Sequence, residues 1–142
     1  MRHNWVVDAS VVAKLYLQEE LSDVTEALFE APGTQSFFVP DIFYCECANI
    51  FWKSVRRLSI QPAYAQSSLH GLMDLIVFPV SSTEFLHYTL DLALEYGITA
   101  YDASYIALSE KLRIPFITAD RKLVTKLKAT GIDIHWLGDL PA

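Results

Sequence analysis

Short apolar runs of β-favouring residues alternate along this chain with stretches of helical periodicity. The runs are Trp5–Asp8, Phe37–Val39, Leu75–Val80, Phe116–Thr118 and Ile132–Trp136. They are rich in Val, Ile, Phe and Trp, which favour extended structure. Between them apolar residues recur at helical spacing, as in Leu86, Leu90 and Leu94, or Ile106, Leu108 and Leu112. Pro40 precedes a long helix expected from about Asp41 to Leu58, and Ser81–Ser82–Thr83–Glu84 has the form of a capping box. Gly97 and Gly131 fall where helices should stop. Strand and helix in alternation predict an α/β fold with a mostly parallel sheet. No linker or low-complexity stretch interrupts the pattern, and 142 residues suit one domain, expected to span 1–142.

On this scaffold the acids take up definite places. The first run ends in Asp8 within "NWVVDAS", and Asp120 follows the fourth in "PFITADRKL". Both are therefore expected at the carboxyl ends of strands, where open α/β sheets carry their functional groups. Asp102, in "YDASYIALSEKL", opens a helix expected over Tyr101–Arg113, and Glu46 lies inside the helix "PDIFYCECANIFWKSVRRL". On that helix Glu46, Asn49 and Lys53 fall within about 60° of one another and form a polar stripe beside Phe43, Cys47, Ile50 and Phe51. Taken singly, each aspartate reads equally well as an N-cap, and Glu46 as part of a solvated face. Taken together, three acids at one end of the sheet and a helix-borne glutamate supply the oxygen ligands of a hard divalent cation, Mg²⁺ or Mn²⁺, able to hold a phosphate and activate water.

Composition narrows the chemistry and adds surfaces. A hydrophobic share of 52% with 13% aromatics leaves apolar area over for a partner chain. Self-association is expected through early helices carrying Tyr16, Leu17, Leu21, Leu28 and Phe29, together with the segment Phe43 to Trp52. A net charge of −6 argues against nucleic-acid binding through the overall field and leaves room for a local basic patch. The candidates are Lys53, Arg56 and Arg57 late on the Glu46 helix, and Arg121, Lys122 and Lys126 after Asp120. Cys45 and Cys47 would project about 200° apart on a helix, so they are expected as reduced, buried thiols. No apolar run approaches the ~20 residues of a bilayer span, and Met1–Arg2–His3–Asn4 opens no signal-like segment, so a cytoplasmic protein is expected. His3, His70, His87 and His135 show no zinc-ligand spacing, and there is neither a Gly-rich phosphate loop nor a G-x-S-x-G elbow.

The acid pattern, and "YDASYIALSEKL…FITAD" above all, resembles PIN-domain proteins of the VapC-type toxin ribonuclease family, from Val6 to Trp136. The resemblance implies a three-layer α/β/α fold, a divalent-metal site and endoribonuclease activity on RNA, commonly in a homodimer paired with a small antitoxin protein. Carried onto this chain, the metal-binding and catalytic quartet is Asp8, Glu46, Asp102 and Asp120. Ser10 and Thr118 stand where relatives often carry hydroxyls, and with Asn49 they are expected to orient the acids or a bound water. Lys53, Arg121 and Lys122 are the expected RNA contacts. The rival reading is a non-catalytic PIN-like module that binds a protein through its surplus apolar surface.

Overall fold

The computed structural model describes residues 3–31 and 35–142; Met1 and Arg2, part of the N-terminal reading above, lie outside them. Among the described residues five strands form one parallel sheet: β1 (His3–Val7), β2 (Gln35–Pro40), β3 (Phe78–Val80), β4 (Phe116–Thr118) and β5 (Ile134–Trp136), in the order β3-β2-β1-β4-β5. The chain winds outward from β1 to β2 and β3, then returns to lay β4 and β5 on the other side. The reversal falls between β1 and β4, so the carboxyl ends of these two strands border the crevice where such sheets bind ligands.

The side chains of each strand alternate between the faces, and the register sorts them consistently. Val6 is level with Phe38 on β2 and Phe116 on β4, and Phe116 with Ile134 on β5. This set faces a core with Phe85, Leu92, Ile106, Leu108 and Leu127. Val7, Phe37, Val39 and Ile117 face the other way, onto Val11, Leu28, Phe43, Phe51 and Leu72. Helices α1 (Ala9–Val12), α2 (Ser22–Glu30), α3 (Phe43–Arg56) and α4 (Pro62–Met73) cover the second face. The first is covered by α5 (Leu86–Tyr96), α6 (Ala100–Leu112) and α7 (Arg121–Leu127). The result is the expected three-layer α/β/α arrangement. Residues Ala103 to Ser109 of α6 are all buried, because α6 is sandwiched between the sheet and α5 and has no long solvent face. No helix among the described residues is long and apolar enough to cross a membrane.

Several expectations need correction. The third strand begins at Phe78 and not at Leu75, because the Leu75 and Val77 N–H groups are used in turns, to the carbonyls of Leu72 and Leu75. With Pro79 inside it, β3 is confined to the sheet edge. The last strand starts at Ile134, whose N–H bonds to the Ile132 carbonyl. Ser81 does precede a helical turn, but its side chain makes no cap; its hydroxyl meets that of Thr83 instead. The Ser82 N–H and hydroxyl both go to Asp41, tying the end of β3 to the approach to α3. Gly97 and Gly131 end their helices in the left-handed conformation, at φ 64° and 86°.

The apolar surplus also lies elsewhere than expected. Leu17 and Leu28 are buried, as are Phe43, Cys47 and Phe51, and Tyr16, Leu21 and Phe29 pack half-buried against the same core. These early helices cover the sheet and have little area left to offer, although Trp52 remains exposed. The exposed stripe is on α5, where Leu86, Leu90 and Leu94 point to solvent and Leu94 is 74% accessible. Cys45 is exposed where a buried thiol was expected, whereas Cys47 is buried; both are free.

Candidate metal centre

The four acids arrive from four elements. Asp8 leaves β1 at the first position beyond it, Asp120 stands two residues beyond β4 at the start of α7, Glu46 lies in the first turn of α3, and Asp102 in the first turn of α6. All four line one cleft of about 690 Å³, together with Ser10, Asn49 and Lys53. The polar stripe read from the Glu46 helix therefore faces the acids.

Asp8 is 9% exposed, and its carboxylate is held by hydroxyls. Ser10 Oγ donates to Oδ2 at 2.8 Å and Thr118 Oγ1 donates to the same oxygen at 2.7 Å. Each hydroxyl also receives a backbone N–H of the β4–α7 connection, Ser10 from Ala119 at 3.2 Å and Thr118 from Asp120 at 3.1 Å. Ser10 and Thr118 thus brace Asp8 and at the same time fix the backbone that presents Asp120. Although Asp8 occupies the N-cap position of α1, its side chain makes no capping bond. Burial raises its carboxyl above the ordinary range, opposed by the Thr118 and Ser10 hydroxyls and, more weakly, by the nearby N–H groups of Ala9 and Ser10, which favour the charged form without closing a capping bond.

The capping alternatives resolve differently for the other aspartates. Asp120 does cap α7, accepting the Leu123 N–H at 3.1 Å on Oδ1. Asp102 caps nothing; its own N–H is received by Thr99, the cap of α6, at 3.1 Å. Burial, then the charges of Asp8 and Asp120, push the Asp102 carboxyl up to about 6, with the nearby Thr99 hydroxyl, which favours the charged carboxylate, opposing. Glu46 is pushed up to about 7 by burial, opposed by a hydrogen bond from Tyr105 and reinforced by the charges of Asp8 and Asp102.

Tyr105 escaped the sequence reading. Its hydroxyl donates to Glu46 Oε1 at 2.5 Å, while its ring is buried and stacked on Phe116 at 5.5 Å. In the sequence it looks like one more apolar residue of α6; the usable signal is its place one helical turn after Asp102, on the same face.

The charges around the cleft are unbalanced. The only ion pairs among the described residues are Lys14–Glu19 and His135–Asp133, so no basic side chain among them neutralises any of the four acids. Asp8 Oδ1, Glu46 Oε2 and Asp120 Oδ2 accept no side-chain hydrogen bond among the described residues. Buried carboxylates normally find a cationic partner, and an oxygen-only donor set is what a hard divalent cation takes. No three Asp, Glu, His or Cys side chains among the described residues converge into a tight cage. The donors line one cleft, and three of them have one oxygen already engaged.

The expected basic contacts separate. Lys53 lines the cleft. Arg121 is turned onto the Trp136 ring, 4.6 Å from its centroid, and neither it nor Lys122 lines the cleft. Asn49 lines the cleft wall without a side-chain hydrogen bond to any of the acids.

Comparison with known proteins agrees with this geometry. The PIN domain family model matches residues 5–127. Ribonuclease VapC3 of Pyrobaculum aerophilum is 39% identical over 127 residues, 87% of this chain and 95% of that protein. Among solved structures, PAE2754 from Pyrobaculum aerophilum superposes with a TM-score of 0.72 at 23% identity, covering 97% of this chain and 93% of that one. A toxin-antitoxin complex from Klebsiella pneumoniae gives 0.55 at 14% identity, covering 94% of this chain and 95% of that one. An acid-lined cleft at the switch point of a β3-β2-β1-β4-β5 sheet and a match over most of the chain lead to one conclusion: this chain belongs to the PIN-domain family.

Proposed function

We propose that this chain, taken as one domain, is a divalent-metal-dependent endoribonuclease of the VapC type, the toxin member of a toxin-antitoxin pair. The observation that carries the reading is the unneutralised quartet in one cleft, in a chain 39% identical to a named ribonuclease. Asp8, Glu46, Asp102 and Asp120 would hold Mg²⁺ or Mn²⁺, directly or through water. When bound, such an ion polarises a phosphodiester and lowers the pKa of water at its surface.

The chain's own residues set the stage for that chemistry. Ser10 and Thr118 occupy Asp8 Oδ2 and leave Oδ1 without a side-chain donor among the described residues. Tyr105 does the same for Glu46 through Oε1, and the Leu123 N–H for Asp120 through Oδ1. Fixing one oxygen of Asp8, Glu46 and Asp120 lowers the cost of ordering the other. Lys53, on the cleft wall, would meet a substrate phosphate.

The test is cleavage of an internally and an end-labelled RNA by purified protein. Internal products with Mn²⁺ or Mg²⁺ and none with chelator support the reading; cleavage that persists in chelator overturns the metal requirement. Absence of cleavage on every RNA tried would favour the binding module, which the exposed stripe of α5 supports.

The Tyr105 hydroxyl offers a second test. Tyr105→Phe keeps the ring against Phe116 and removes the donor to Glu46. Mn²⁺ affinity measured by calorimetry should fall about tenfold, the lower end of what removing an orienting partner costs. A rise in affinity would mean that Tyr105 restrains Glu46 and does not aim it.

We also infer a homodimer formed through α5, since Leu86, Leu90 and Leu94 are the exposed apolar stripe. Light scattering at micromolar concentration should give twice the chain mass, and Leu90→Glu should return the monomer. A dimer indifferent to Leu90→Glu would place the interface elsewhere.

A further inference from the structure

The cleft does not end at the acids. It opens into a second hollow of about 330 Å³, with Ser10, Ile50, Lys53 and Asp120 in the walls of both. That hollow continues into a third of about 570 Å³, with Leu17, Glu19, Ser54 and Arg57 common to both walls. The three form one trough that leaves the acids, follows α3 and ends at the start of α4.

The chemistry changes along it in a definite order. Nearest the acids is Lys53, and Arg57 follows one turn later, about 6 Å along the helix axis. That separation is comparable to the spacing of neighbouring phosphates in an extended strand. Neither cation has an ion-pair partner among the described residues, whereas Lys14 in the same wall is held by Glu19 at 3.1 Å. At the far end stands Tyr64, 49% exposed, its hydroxyl donating to the Tyr16 carbonyl at 2.6 Å. The tether fixes the ring while much of it remains open to solvent. Gln18 and Gln61 bring amides beside it.

On the opposite side of the site two of the cations after Asp120 are engaged elsewhere, and Lys122 does not line the cleft or its hollows. Arg121 lies over Trp136, and Lys126 donates to the Gly97 carbonyl at 3.0 Å. In a chain of net charge −6, a polyanion needs local cations free to meet it; Lys53 on α3 lines the cleft and Arg57, at the end of that helix, lines the hollow beside it. Cations for phosphate, a ring for a base and amides for base edges are the elements of single-strand recognition.

We propose that this trough is a binding subsite for single-stranded RNA, with the backbone crossing Lys53 and Arg57 and a base stacking on Tyr64. The proposal rests on the ribonuclease reading and adds the side from which the substrate enters and the residues that grip it.

The experiment is fluorescence anisotropy with labelled oligouridylates in EDTA, a long one of about 12 nucleotides and a short one of about 3, against wild type, Arg57→Gln, Tyr64→Leu and Tyr64→Phe. For the long strand, Arg57→Gln and Tyr64→Leu should each weaken binding about 5- to 50-fold, and Arg57→Gln should lower the salt slope by about 0.7. Tyr64→Phe, which keeps the ring, should bind within about twofold of wild type, and the short strand should not distinguish the four proteins. Equal long-strand affinity in wild type, Arg57→Gln and Tyr64→Leu would overturn the subsite and leave the trough to a protein segment. Loss in Tyr64→Phe equal to that in Tyr64→Leu would overturn the stacking role. Adding Mn²⁺ to the same samples separates the two readings. Cleavage without variant effects keeps the ribonuclease and removes the subsite; variant effects without cleavage keep the subsite and remove the ribonuclease.

Discussion

Between about pH 4 and pH 7 the metal-free protein should lose stability as the pH rises, the opposite of what salt-bridged carboxylates give. Glu46 is pushed up to about 7 in the fold from an ordinary 4.5, and Asp102 up to about 6 from 3.8. Across this window the folded state holds protons that the unfolded chain has released. Protons therefore favour the fold at the acid end, and the advantage is gone once the pH passes the folded values. Both groups are half-buried, so after allowance for solvent screening the loss should be about 1–2 kcal/mol. Urea midpoints taken at acid, intermediate and neutral pH measure it. Millimolar Mn²⁺ should stabilise progressively more over the same window, since ligation requires ionised carboxylates. Stability that rises with pH in chelator would mean that the acids are paired or solvated, not crowded.

Asp8→Asn should reduce RNA cleavage by at least about 10²- to 10³-fold, the scale of removing one preorganised electrostatic contact from a reacting centre. The fold has no reason to suffer. The asparagine side-chain oxygen can still accept the Ser10 and Thr118 hydroxyls, and a buried charge without a cationic partner is removed. Comparing kcat with the urea midpoint separates the two effects: activity lost with stability kept marks a functional acid. Parallel loss of both would make Asp8 a structural residue.

Most of the architecture was legible because the strands announce themselves twice, by β-branched runs and by the turns that bound them. Asp8 and Asp120 could be placed at strand ends from the sequence because Val6–Val7 and Phe116–Thr118 are short and sharply bounded. The stripe Glu46, Asn49 and Lys53 was readable from helical geometry alone, and it does face the cleft. What the sequence left hidden depends on tertiary context. Leu86, Leu90 and Leu94 repeat like a core stripe, but α5 buries Thr89 and Leu92 and turns the leucines outward. Leu17 and Leu28 look like spare apolar surface until the sheet face they cover is known. Arg121 and Lys122 follow Asp120 directly in sequence; the first turn of α7 carries them away from the cleft, and Arg57, four residues beyond Lys53, borders the trough instead. Tyr105 is hidden for a related reason: a buried ring with one polar contact has the sequence signature of a core residue.

The most direct test of the acid cluster is the Mn²⁺-induced shift in melting temperature of wild type, Asp8→Asn and Asp102→Asn near neutral pH. Asparagine caps a helix about as well as aspartate but lacks the charge. If the cleft is a metal site, both variants melt at or above wild type in chelator, and millimolar Mn²⁺ raises wild type well above either of them. Equal Mn²⁺-induced shifts in all three proteins would contradict the assignment of Asp8 and Asp102 as metal ligands.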